Sequence, residues 1–206
     1  MNFILIIIIG VMLAGIINFF AYSGKKEQSL IQRYLDSLYG DNKCLLTQAV
    51  LITISILLYR SYGLSIQYAS YILLSAILTA AAIVDVQKQV IPDILVIISL
   101  VIGTLMIFLN PELSLLRSVL GALLAGGILL FISVISKGSL EIGDVKLFTG
   151  AGLFLGIENG LSALLISAVL SGLAGLVLIV KSVSDRKKTM PFAPFILAGV
   201  LITILM

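Results

Sequence analysis

Long apolar runs follow one another along the chain, separated by short polar joints. Crossing ~30 Å of hydrocarbon takes roughly 20 apolar residues in a helix. On that measure the pattern predicts about eight membrane segments, at residues 2–22, 45–61, 66–84, 93–109, 114–136, 145–157, 160–181 and 191–206. The sixth is short. At 1.5 Å per residue it reaches only about 20 Å, so it should be partly re-entrant or sunk in a bundle. The first run lacks a basic leader region and continues for about a full span, so it reads as a retained helix rather than a signal peptide. The expected fold is all-α: a polytopic membrane helix bundle in which residues 1–206 form one integral-membrane domain.

Alternating crossings put the joints 23–44, 85–92, 137–144 and 182–190 on one side. That side then holds Lys25, Lys26, Arg33, Lys43, Lys88, Lys137, Lys146, Lys181, Arg186, Lys187 and Lys188, leaving only Arg60 and Arg117 of the 13 cations opposite. The positive-inside rule makes this side cytoplasmic and puts both termini outside. The chain is therefore expected as a multi-pass protein of the cell (cytoplasmic) membrane. Its net charge of +3 gives no sign of a nucleic-acid partner, because the cations follow topology. Nothing in the pattern speaks to oligomeric state. The 23–44 joint, with Tyr34, Leu35, Leu38 and Tyr39, could form a short interfacial helix. Gly121 with Ala125, Gly152 with Gly156, and Gly172 near Gly175 have the spacing of close helix packing in lipid.

Composition narrows the chemistry. Hydrophobic residues make up 60% of the chain and charged residues 11%, so each acid is conspicuous. There is no histidine and only one cysteine, Cys44, which removes Ser-His and Cys-His catalysis, a disulfide and the usual zinc sites. No metal or other cofactor is expected. Asp85 ends the third segment and Asp144 opens the sixth, both at the cytoplasmic boundary, where folding can bring them together. Two carboxylates sharing a site cannot both ionise cheaply. One can take a proton from water while the other hydrogen-bonds a scissile carbonyl, which is aspartic proteolysis. Alternatively, Asp144 caps a helix and Asp85 is an ordinary interfacial acid.

Four neighbours have supporting readings. Asp93 follows Pro92 at a helix start, where an acid suits the helix dipole. Gly143 allows a tight or left-handed turn beside Asp144. Lys146 can pair with a carboxylate or extend to the interface. Glu141 is an added acid three residues before Asp144.

These residues resemble the motifs of type IV prepilin peptidases. The stretch from Asp85 to Ile91-Pro92-Asp93 resembles the first catalytic motif, an aspartate followed seven residues on by Pro-Asn or Pro-Asp. Ile142-Gly143-Asp144-Val145-Lys146-Leu147 resembles the second, and Met190-Pro191-Phe192-Ala193-Pro194-Phe195 the signature opening the last helix. The likeness covers about residues 70–206, and the three motifs in series are specific. It implies an intramembrane aspartic endopeptidase with Asp85 and Asp144 catalytic, cutting the short basic leader from pilin-like precursors at the cytoplasmic face. Asn18 and Tyr22 match an Asn-x-x-x-Tyr ending the family's first helix. Bifunctional members follow it with a zinc loop of two Cys-x-x-Cys pairs, associated with N-methylation. Here residues 23–44 hold only Cys44, so the resemblance does not carry methylation over. Glu141 departs from the first glycine of the family's Gly-x-Gly-Asp. Two other readings remain open: a proton-coupled transporter using paired acids, and a non-catalytic pseudo-peptidase scaffold.

Overall fold

The computed structural model describes residues 2–22, 42–136, 140–181 and 190–206. The expected interfacial helix lies outside these, apart from residues 42–44, as do Lys25, Lys26, Arg33, Lys137, Arg186, Lys187 and Lys188. The helices are α1 (Asn2–Tyr22), α2 (Asn42–Tyr62), α3 (Ile66–Lys88), α4 (Asp93–Leu109), α5 (Leu115–Ile135), α6 (Ile142–Lys181) and α7 (Ala193–Leu205), with no strand among the described residues. In lipid a backbone N–H or C=O without a partner is costly, and a helix pairs all but those at its two ends within its own segment. The 4 prolines respect this: Pro92 and Pro111 lie in joints, Pro191 precedes α7 and Pro194 sits in its first turn, where no helical hydrogen bond is lost.

Among the described residues, α2, α3, α5 and α6 are long and apolar enough to cross a membrane, and α4, α7 and Ile4–Asn18 of α1 are shorter apolar helices. The expected sixth and seventh segments appear as two arms of α6, meeting at Gly156 with φ 71° and ψ −166°. That backbone region is essentially open only to glycine. A kink therefore replaces a polar joint.

Contacts gather into two compact units, with the division inside α3: residues 1–80 and 81–206. In the first, α1 packs on α2 around Ile6, Leu51 and Leu58. Ser55 ties this core together, its hydroxyl 2.7 Å from that of Tyr68 and donating to the Ile6 carbonyl at 3.2 Å. In the second, α6 is central and α4, α5 and α7 pack against it, burying Leu147, Phe148, Phe154, Ile196 and Val200.

Two of the three small-residue pairs are packed. Gly121 lies against the backbone of Gly156, and a Cβ on Gly152 would stand 2.6 Å from the Cα of Ala122. Gly172 and Gly175 have no neighbour within 4 Å of a built Cβ. Their spacing is right, but from residue 168 on that arm of α6 has no buried residue among those described. Outward-facing Phe108, Phe131 and Val134 suit contact with lipid chains.

Candidate active site

Helix α3 runs one turn past its expected end at residue 84, through Val86-Gln87-Lys88. Asp85 therefore sits within the last helical turn, not beyond it. Gln89 closes the helix in the left-handed region, φ 54°, and its N–H donates to the Asp85 carbonyl at 2.8 Å. The Asp85 side chain is buried, 3% exposed. Its Oδ2 accepts the backbone N–H of Ala193 at 2.9 Å, and the Phe192 amide also hydrogen-bonds the carboxylate. These amides open α7, where helical N–H groups lack partners within their own helix and carry partial positive charge.

Asp144 is in the first turn of α6 and is 5% exposed. Val145, Leu147 and Phe148, all buried, draw that turn inward. The helix already begins at Ile142, and the Asp144 N–H bonds the Glu141 carbonyl at 3.1 Å. Asp144 thus lies inside the first turn and not at the cap. Its Oδ1 is buried with no hydrogen-bond partner among the described residues. Asp85 and Glu141 both act on the Asp144 carboxyl through their charge. Two buried acids in electrostatic reach of each other, one with an orphaned oxygen, are costly to fold. Such a cost at the ends of apolar helices makes the pair a candidate functional site.

Of the two turns open to it, Gly143 takes the tight one, spanned by the Asp144 N–H bond to the Glu141 carbonyl, and not the left-handed one. It lies within α6, and the positive-φ glycines among the described residues are Gly63 and Gly156. Its missing side chain has another use: a Cβ there would lie 3.1 Å from Cβ of the buried Ile91. The glycine thus lets the segment after Asp85 pack against the turn carrying Asp144. Lys146 Nζ pairs with Asp93 Oδ1 at 2.9 Å, linking the starts of α6 and α4. Among the described residues no group of three His, Cys, Asp or Glu is placed to hold a metal ion.

The type IV leader peptidase family model matches residues 72–178, a stretch containing both aspartates. The chain belongs to the type IV leader peptidase family. Curated relatives are named prepilin leader peptidase/N-methyltransferase. That of Bacillus subtilis (strain 168) is 27% identical over 67% of this chain and 56% of its own length. The Legionella pneumophila protein is 31% identical over 70% of this chain and 53% of its own. For that of Aeromonas hydrophila the figures are 28%, 74% and 53%. The chain thus spans about half the length of the curated relatives it matches. No solved structure matches it.

Within this leader peptidase fold the charged neighbours divide. The Lys146–Asp93 pair is exposed, 49% and 74%, and such pairs contribute about 0–1 kcal/mol. Asp93→Asn should therefore lower cleavage far less than Asp85→Asn, as a turnover assay on normally inserted protein will show. An equal loss would make Asp93 a functional acid. Glu141 is exposed and lies just before α6. Glu141→Gly, which removes a like charge beside Asp144, should leave cleavage intact or faster; a collapse in folded protein would show that Glu141 serves substrate binding or chemistry.

The two amides at the opening of α7 have no assigned role in the reading of the sequence. Their signal is the pair Pro191 and Pro194 around Phe192-Ala193, a helix start whose free N–H groups need an acceptor. Asn18 belongs to the first unit, where its amide donates to the Cys44 carbonyl at 3.2 Å.

Proposed function

We propose that this chain is an intramembrane aspartic endopeptidase that removes the leader of a type IV pilin-like precursor at the cytoplasmic face of the cell membrane. The observation that carries the reading is the buried pair Asp85 and Asp144, drawn from the ends of two helices in a leader peptidase family. Relatives named prepilin leader peptidase support the choice of substrate. The cytoplasmic face is supported by the one-sided distribution of cations along the sequence.

Two adjacent carboxyl groups hold one proton between them. The carboxylate member takes a proton from water as the water oxygen attacks the scissile carbonyl carbon. The other member gives its proton to the carbonyl oxygen. Collapse of the tetrahedral adduct breaks the C–N bond, and the departing amine takes the proton lifted from water. The adduct's hydroxyl returns its proton to the second aspartate, and the pair is restored. Burial of both acids excludes bulk water and strengthens every charge interaction in this cycle. The proposal is confined to proteolysis, since the carboxylate pair accounts for peptide cleavage and supplies no methyl-transfer chemistry. Transport has less support, because both acids lie at helix ends and not mid-span.

The test is reconstitution of the purified chain in liposomes with a pilin-type precursor, followed by gel and mass analysis. A mature product and a free leader are expected. An intact precursor, whatever the leader offered, would overturn the reading.

A further inference from the structure

We infer that the backbone amide of Ala193, seconded by that of Phe192, positions Asp85 and divides the roles of the two aspartates: Asp85 takes the proton from water, and Asp144 gives one to the scissile carbonyl. The inference rests on the proteolytic reading above and assigns its members. Asp85 Oδ2 accepts the Ala193 N–H at 2.9 Å, with the Phe192 amide beside it. Both donors belong to the start of a 13-residue helix, whose first-turn N–H groups favour a negatively charged acceptor. An N–H donor can serve only an acceptor, so this end of the site suits the carboxylate that receives a proton. Asp144 has the opposite surroundings. Its Oδ1 is buried with no donor among the described residues, and its charged neighbours, Asp85 and Glu141, are both acids. An oxygen so placed is best used as a carboxyl O–H turned toward an incoming carbonyl.

The sequence provides for this in a way that resists ordinary mutation. Phe192, at φ −94° and ψ −27°, is already turned toward helix and precedes the first helical residue, so the two successive amides converge on one carboxylate. Ala193 itself is fully buried. Because the donor is backbone, a side-chain change leaves it in place. Ala193 acts through Asp85, and its part is to position.

The test therefore changes the backbone. Ala193→lactic acid replaces the amide by an ester and deletes the donor without altering the side chain. The control is Phe195→phenyllactic acid, which deletes the neighbouring Phe195 N–H bond to the Phe192 carbonyl, 2.9 Å, and leaves Asp85 untouched. Activity is read per folded protein, with thermal midpoints for both esters. The Ala193 ester should lower kcat by about 10- to 100-fold with KM within about twofold, as for loss of one charge-assisted hydrogen bond. The Phe195 ester should share the small drop in midpoint and keep kcat within about twofold. Unchanged kcat in the Ala193 ester, or equal loss in both esters, overturns the inference. Asp85→Asn and Asp144→Asn, run alongside, separate it from the proteolytic reading. If they are dead while the Ala193 ester is active, only the positioning role fails. If they cleave, the dyad itself fails.

Discussion

Asp85→Asn and Asp144→Asn are each expected to abolish precursor cleavage while membrane insertion and abundance stay near wild type. Asparagine keeps the shape of each side chain but can neither take a proton from water nor give one up as a carboxyl does. General acid–base groups typically contribute 10²–10⁴-fold each, and groups that act as a unit lose nearly the whole effect when either is removed. The double variant should therefore be no worse than either single one. Abundance should hold because neither site depends on its charge for packing. Asp144 Oδ1 has no partner among the described residues to lose, and in Asp85→Asn the new amide oxygen can accept the Ala193 N–H as Oδ2 does. The measurement is leader removal in membranes, normalised to protein in the membrane fraction. Substantial cleavage by either single variant would dismiss the dyad, and loss of both protein and activity would show the acids to be structural.

Most of the fold is legible in the sequence because lipid leaves the backbone few options. Helix α4 falls where the apolar pattern puts it, residues 93–109, since Pro92 and Asn110-Pro111 punctuate both ends. The extra turn of α3 is hidden because Val86-Gln87-Lys88 ends the hydropathy signal before it ends the helix. The break in α6 escapes for a related reason. The polar residues Glu158-Asn159 suggest a joint, whereas the break needs a positive φ and lies at Gly156. Spacing identifies Gly121 and Gly152 as packing residues but cannot tell them from Gly172 and Gly175, whose surroundings are set by neighbouring helices. At the site, the two acids are legible and their surroundings are not. The contacts that place Asp85 come from backbone amides more than a hundred residues away, and a backbone donor leaves no side-chain signature. Gly143 is ambiguous because a missing Cβ has two uses, an unusual turn or a close approach, and only the position of Ile91 decides between them.

Gly152→Ala is expected to destabilise the protein by about 1–3 kcal/mol, the range for overpacking a tight interface. The new Cβ would stand 2.6 Å from Cα and 2.8 Å from N of Ala122, and 2.9 Å from the Gly121 carbonyl carbon. These are backbone atoms of α5, so no side chain can swing aside, and α5 and α6 must separate. In lipid that separation is especially damaging, because helix association rests on close packing and has little hydrophobic drive of its own. The strain also reaches the chemistry: the displaced arm of α6 carries Asp144 at its start and ends at the Gly156 kink, which itself lies against Gly121. Cleavage per folded molecule should therefore fall along with stability. Gly127→Ala is the control, on α5 with no neighbour within 4 Å of its built Cβ. There alanine should be neutral or stabilising by up to ~1 kcal/mol through helix propensity. Thermal unfolding of the detergent-solubilised variants separates the two. If Gly152→Ala unfolds no earlier than Gly127→Ala, the close contact of α5 with α6 is not what holds this half of the bundle together, and Asp144 must owe its place to other contacts.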